Sequence, residues 1–390
     1  MSAAPTEGGR DRRTPPRDGG VLMPTISLGR LAGVPVGLNW TWIVIFGLIV
    51  WSLAAVQFPS QAPGRAGAVY VLMAVLTAVA FFGSLLLHEL GHALRARRDG
   101  VRIDGITLWL FGGVARMGGD YPDAGAELRI AGAGPLVSLG LGVAFTVAGL
   151  AWPQPGVVAV CLQWLGLVNL ALLAFNLLPA LPLDGGRILR ALLWRRSGNF
   201  VRATARAARI GSVVAALLIG AGVLEVLAGS ISGLWLAVIG WFVLEAGRAE
   251  NRDAGVHAAL GGIAVSDLMT RDPITLPSEA TLDQVAGTIR GTARHTSYPV
   301  LDRSGCPVGL LQLRALAEVP PGEWPTATAG RIALAADEVP AFAPETLAVD
   351  ALDQLVRSRA GRGIVTTHGR VVGILSMTDL LRALALGRPL

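Results

Sequence analysis

The stretch FFGSLLLHELGHALRARRDG, residues 81–100, decides how the rest of the chain is read. It sets His88, Glu89 and His92 in the pattern H-E-x-x-H within a greasy run, and residues 66–87 just before the motif carry no charge at all. On a helix, residues four apart share a face. His88 and His92 can therefore turn ring nitrogens toward one metal ion. Glu89 falls on the adjoining face, near enough to take a proton from water beside that ion but off the ligand axis. The bland alternative is a set of interfacial polar residues, as Arg95, Arg97 and Arg98 are. The cost of ionisable groups at membrane depth weighs against it and marks the cluster as functional.

Composition agrees with a membrane setting. The chain has 390 residues, 52% hydrophobic and 15% charged, where a soluble domain carries about a quarter charged residues. That points to a membrane protein with soluble mass attached. The net charge is +6, and every basic residue is Arg, which reads as a habit of base composition. Cys161 and Cys306 cannot build a disulfide framework, so nothing implies an oxidising compartment. Residues 1–20 are polar, with Arg and Pro and no apolar core. They read as a disordered cytoplasmic tail and not as a cleavable signal peptide.

Crossing about 30 Å of hydrocarbon takes roughly 20 apolar residues. Six stretches qualify: about 39–57, 66–94, 129–151, 156–178, 209–228 and 232–248. Arginine sets their orientation. Arg95, Arg97, Arg98 and Arg102 follow the second span, seven arginines from Arg187 to Arg209 separate the fourth and fifth, and Arg248 and Arg252 follow the sixth. The opposite loops hold Arg65 and little else. Both termini are then cytoplasmic, and the histidine motif lies toward the cytoplasmic end of its span. Between spans two and three, VRIDGITLWLFGGVARMGG, residues 101–119, alternates and is rich in β-branched and aromatic residues. It reads as a short hairpin at the membrane surface, tolerated there when covered by protein or lining a wet cavity.

Beyond about residue 250 charges return and two similar halves follow. They open on PSEATL (277–282) and APETL (343–347) and continue into SYPVLDRSGCPVGLLQL and GRGIVTTHGRVVGILSM, with Gly309 and Gly373 at equivalent points. This is a tandem β-α-β repeat.

A catalytic zinc needs a third protein ligand and one open position. Glu225 and Glu245 sit near span ends without partners and read as structural. In FNLLPALPLDGGRILRALLW, residues 175–194, Pro179 and Pro182 break the fourth span near the cytoplasmic side, and Asp184 precedes Gly185-Gly186 and an Arg-bearing helix. Asp184 is either a helix N-cap or the missing ligand. The need for a third ligand favours the second reading.

H-E-L-G-H in one span with N-x-x-P-x-x-P-x-D-G in a later one resembles the site-2 proteases, the intramembrane zinc metalloproteases. The matching residues are His88, Glu89, His92, Asn176, Pro179, Pro182, Asp184 and Gly185. The resemblance implies zinc held by His88, His92 and Asp184, Glu89 as general base, and Asn176 on substrate backbone or the developing oxyanion. FGGVARM looks like that family's membrane-associated strand, and AGAGPLVSLG like its third-span glycine motif, although Gly132, Gly134 and Ser138 are also ordinary helix-packing positions. The resemblance covers about residues 25–250. One branch of the family carries PDZ domains between its spans, for which these outer loops are too short.

The remainder resembles a pair of CBS domains, which commonly bind adenine nucleotides through a strand followed by [ST]-x-x-D. GILSMTD has Ser376 and Asp379 in those places, whereas GLLQLRA has Gln312 and Ala315. At most one nucleotide site is expected, and Asp379 could instead cap the last helix. A homodimer through these repeats is consistent with the resemblance.

The expectation is an α-helical polytopic membrane protein with a short membrane-associated β element plus a cytoplasmic α/β tandem CBS domain: a tail over 1–20, a protease domain over 21–250, and repeats at about 263–320 and 328–388 within 251–390. Its partners are the lipid bilayer, a transmembrane protein substrate, one zinc ion and an adenine nucleotide, with no nucleic acid. Its location is a prokaryotic plasma membrane. Two rival readings remain: a CBS-regulated metal-ion transporter, and a catalytically silent protein that binds membrane helices.

Overall fold

The uncharged run ahead of the histidine motif continues straight through it as a single helix. The computed structural model describes residues 25–109, 112–117, 121–153, 156–290 and 295–386, so the tail expected over 1–20 lies outside them. Strands β1 (Thr25–Leu31) and β2 (Val34–Asn39) come first. Helix α1 (Trp42–Ser52) passes through one π turn, Leu53–Gln57, into α2 (Phe58–Gln61). Helix α3 (Gly67–Arg98) carries the motif. Then come β3 (Ile103–Trp109), β4 (Gly112–Met117), α4 (Ala124–Ala151), α5 (Val157–Asn176), α6 (Asp184–Ser197), α7 (Phe200–Leu227) and α8 (Ser232–Leu260).

Among the described residues five helices are long and apolar enough to cross a membrane: Trp42–Gln61, α3, α4, α5 and α7. The sixth expected span, 232–248, opens α8, where Glu245 and Arg248 cut the apolar run short. Helix α8 still folds back along α7, with Gly222 against Gly233 and Ala237, and Gly240 against Ala215 and Ile219. Small residues at these crossings let the two backbones approach.

Helix α3 positions the motif by length. His88 is 21 residues beyond Gly67, about 32 Å along the axis at 1.5 Å per residue, which is about one hydrocarbon thickness. Arg95, Arg97 and Arg98 in its last turn complement the negative end of the helix dipole.

The expected hairpin, β3 with β4, is antiparallel, from Ile103 opposite Met117 to Trp109 opposite Gly112. It is half of a larger sheet, because β2 pairs parallel with β3 and the order is β1-β2-β3-β4. The β1–β2 pair went unread in the sequence, its strands being seven and six residues long with two glycines and a proline, and a third glycine in the turn. It is tied to α3 by Arg97, which donates from Nη1 to the Ala32 carbonyl at 2.6 Å.

The chain divides into two compact units between Gly255 and Val256. The second unit contains α9 (Val265–Leu268), β5 (Thr270–Arg271), β6 (Leu276–Pro277), α10 (Leu282–Arg290), β7 (Ser297–Leu301), β8 (Pro307–Gln312) and α11 (Leu313–Ala317). It continues with α12 (Ala329–Ile332), β9 (Leu334–Ala335), β10 (Ala341–Phe342), α13 (Ala348–Arg357), β11 (Arg362–Thr367), β12 (Arg370–Ser376) and α14 (Met377–Leu386). Its sheets run β6-β7-β8-β9 and β10-β11-β12-β5, so each repeat lends its leading strand to the other's sheet. That exchange explains the equivalent glycines. Gly309 lies against Leu334 of β9, and Gly373 against Met269 and Thr270 beside β5, where a Cβ would collide with the borrowed strand.

Candidate metal centre

Two helices and a helix start build the site. His88 and His92 lie one turn apart on α3, both buried. Asp184 reaches them from the first residue of α6, and Leu183 is the N-cap, so the capping alternative for Asp184 does not hold. Its oxygens stand 3.3 Å from Nε2 of His88 and 3.3 Å from Nε2 of His92, and the two Nε2 atoms are 3.2 Å apart.

The glycine pair after Asp184 makes this approach feasible. A Cβ at Gly185 would collide with the backbone of Leu177 and Leu178, and one at Gly186 with that of Ala180 and Leu181. Only glycine lets the first turn of α6 nest inside the loop that leaves α5. At the far end Gly198 takes the left-handed conformation (φ 65°) and donates to the Trp194 carbonyl, a helix stop suited to glycine.

The opposite ring nitrogens are both engaged. Nδ1 of His92 is 2.7 Å from the Ile130 carbonyl, and Nδ1 of His88 is 2.8 Å from Ser138 Oγ. A carbonyl only accepts, so Nδ1 of His92 carries the proton and its Nε2 keeps a lone pair. A hydroxyl both accepts and donates, so Ser138 accommodates the same tautomer at His88. Two lone pairs facing each other at 3.2 Å repel unless something lies between them. Ligand atoms around a tetrahedral zinc with bonds of about 2.0–2.1 Å stand about 3.3 Å apart, close to the Nε2–Nε2 separation here, and a different Asp184 oxygen lies 3.3 Å from each imidazole.

Two further observations fit a metal. Asp184 Oδ2 is buried without a hydrogen-bond partner, its 3.3 Å approach to His88 being too poorly aligned for one. A Cβ at Gly134 would overlap Nε2 of His92 and come within 2.6 Å of Nε2 of His88.

Gly134 and Ser138, which the sequence left between a glycine motif and ordinary helix packing, lie against the two histidines. Ile130, Gly134 and Ser138 recur at intervals of four, one face of α4, and that face meets the histidine face of α3. The spacing was visible, but the partner helix was not. Gly132, two residues away, has open space around it.

Glu89 is half-buried and lies against β4, where a Cβ at Gly113 would overlap its Cγ. Among described strands β4 pairs only with β3, so its outer edge is open there. Asn176, the last residue of α5, is half-buried.

A buried ionic cluster lies along α6. Arg190 donates to Glu127 of α4 and Glu250 of α8, at 2.7 and 2.8 Å. Arg187, one turn from Asp184, is kept charged despite burial by Tyr121, Glu250, Asp184 and Glu127. Sequence reading assigned none of these contacts.

Ser376 and Asp379 belong to the second unit. Asp379 accepts from the backbone N–H and the hydroxyl of Ser376, at 2.9 and 2.5 Å, so it does brace the start of α14. Both residues also border a polar cavity with His295, Tyr298, Arg362 and Arg382. At the equivalent place in the first repeat, buried Gln312 donates to the Ala360 carbonyl at 3.1 Å.

The profile of Peptidase family M50 matches residues 76–159 and 151–220, and that of the CBS domain matches 265–322 and 331–386. Rip3 of Mycobacterium tuberculosis is 42% identical over 92% of this chain and 92% of its own length. The protein sll0528 of Synechocystis sp. is 30% identical over 92% of this chain and 95% of its own length. Both carry names containing the words zinc metalloprotease. Among solved structures, the site-2 protease from Methanocaldococcus jannaschii is 32% identical, with a TM-score of 0.41, covering 58% of this chain and 95% of that one.

Proposed function

The chain belongs to peptidase family M50 and is a membrane-embedded zinc metalloprotease; from that premise we propose that His88, His92 and Asp184 hold the zinc and Glu89 is the general base for cleaving a substrate's transmembrane segment. The observation that carries this is the convergence of two imidazole Nε2 atoms, 3.2 Å apart, on the Asp184 carboxylate, which sets one oxygen 3.3 Å from each, with both imidazoles anchored from behind.

Zinc, when bound, supplies a Lewis acid that polarises a carbonyl and makes water nucleophilic at neutral pH. The chain's own residues do the rest. Glu89 takes the proton of the attacking water and returns it to the leaving amine. A transmembrane helix is protected by its own hydrogen bonds, so it must unwind before it can be cut. The open edge of β4 beside Glu89 supports strand addition of the unwound segment, which aligns its carbonyl with the base. Asn176 would hold substrate backbone beyond the site.

The same reading places residues 1–20 and the CBS repeats, within 251–390, on the cytoplasmic side of a prokaryotic plasma membrane, with the protease domain over 21–250. An adenine nucleotide would occupy the cavity at Ser376 and Asp379, one per chain, and gate substrate access. Dimerisation would proceed through the repeats.

Glu89→Gln tests the core of the proposal. With a single-span reporter, the variant should keep one zinc per chain while cleavage falls at least a hundredfold. Cleavage at the wild-type rate would remove Glu89 from the mechanism. Metal flux into vesicles without any cleavage would favour transport.

A further inference from the structure

Asp184 sits at the very start of a 14-residue helix that follows a proline-containing loop. A helix turns about 100° per residue, so a small roll or slide of α6 would carry the carboxylate away from both imidazoles. Something must hold the helix in register, and the nested glycines constrain only its first turn.

Six residues on, Arg190 is 2% exposed and makes a two-sided clamp. Its Nε donates to Glu127 Oε1 at 2.7 Å, its Nη2 lies 2.6 Å from the same oxygen, and its Nη1 donates to Glu250 Oε1 at 2.8 Å. The guanidinium also lies over the Phe200 ring, 4.8 Å from its centre. Three helices are joined at one side chain: α6, α4 through Glu127, and α8 through Glu250. Helix α4 also presents Ile130 and Ser138 to the histidines, and Ile130 is one turn beyond Glu127. The clamp therefore references α6 to the same helix that orients the ligand rings.

Burying the Arg190–Glu127 pair is costly, with Glu127 fully buried and its Oε2 unpartnered, while Glu250 is half-buried. Apolar packing would hold three helices together more cheaply, so such a cluster is best accounted for by the single arrangement it selects. A planar fork bonded on two sides fixes rotation as well as distance.

We propose that Arg190 is a positioning residue of the metal centre, and that Glu127 and Glu250 act through it to keep Asp184 on the two histidines. Helix α8, which carries the chain from the first unit into the second, is thereby a structural support of the site. The inference rests on Asp184 being a metal ligand.

The test uses the full chain in lipid nanodiscs, as wild type, Arg190→Lys and Glu250→Gln. Lysine keeps the charge but loses the fork, and glutamine keeps an acceptor but loses the charge. Hydrogen exchange over residues 184–190 in metal-free protein should accelerate in both variants. Zinc affinity, measured by competition with a chelator, should fall at least tenfold, and reporter cleavage should lose kcat with KM unchanged. If Arg190→Lys does not fold, Glu250→Gln decides alone. Folded variants with wild-type exchange and wild-type zinc affinity, even with lowered melting temperatures, would overturn the proposal by leaving Arg190 a purely structural role. Wild type that binds no zinc would instead sink the protease reading, and the exchange data alone would then judge the clamp.

Discussion

Ser138 Oγ lies 2.8 Å from Nδ1 of His88, across fifty residues of chain. A hydroxyl in that position holds the ring by its Nδ1 and so sets how the imidazole is turned. Partners of this kind typically contribute 10–100-fold to metal affinity or activity. Ser138→Ala should therefore weaken zinc binding by about 10–100-fold without unfolding the protein. Chelator competition with zinc reads this directly, and an unchanged affinity would show that the hydroxyl has no orienting role.

Gly113 and Glu89 define a second contact. Because a Cβ at Gly113 would overlap Glu89 Cγ, Gly113→Ala must displace either the strand or the carboxylate. Neither is a metal ligand in this reading, so zinc stoichiometry should hold at one per chain. Cleavage should drop roughly a hundredfold, as expected for a displaced general base. Near wild-type cleavage would mean that β4 stands clear of the reacting groups.

Nucleotide binding separates the two repeats. Ser376 and Asp379 border an open cavity, whereas Gln312 spends its amide on the Ala360 carbonyl. Calorimetry with ATP, AMP and S-adenosylmethionine should find at most one site per chain, lost in Asp379→Ala. A second site, or binding that survives Asp379→Ala, would contradict this assignment.

Acid stability offers a check on the turn between β7 and β8. Hydrogen bonds from the Ser304 hydroxyl and the Cys306 amide, with smaller help from other turn amides, hold the Asp302 carboxyl below its ordinary range. A lowered folded-state pKa gives stability that is present above the unfolded value. It is lost as pH falls through the folded one. Asp302→Ala should thus lower the melting temperature of the repeats at pH 7, with the gap to wild type closing below about pH 4. A gap that stays constant with pH would place the effect in turn geometry and not in the charge.

Much of this protein was legible in one dimension. The uncharged run before His88 could only be a long helix, since an apolar medium leaves the backbone no other partners. H-E-x-x-H carried its own geometry, because two residues one turn apart need nothing else to share a face. The repeats announced themselves by Gly309 and Gly373, although the reason for those glycines, a strand borrowed from the other repeat, did not.

Other features required the fold. Asp184 was legible as a candidate only because zinc chemistry demands a third ligand. Its place at the start of α6, and not at the cap, depends on Gly185 and Gly186 nesting against Leu177–Leu181. The face of α4 formed by Ile130, Gly134 and Ser138 has a meaning only when packed against His88 and His92. Arg190 looked like one more cytoplasmic arginine until its two glutamates, 63 and 60 residues away, closed on it. Local sequence determined the helices, the repeats and the candidacy of His88 and His92 as metal ligands, because those follow from periodicity and donor chemistry. Tertiary structure decided what orients them, because tautomers, ring directions and helix register are set by partners that only packing brings together.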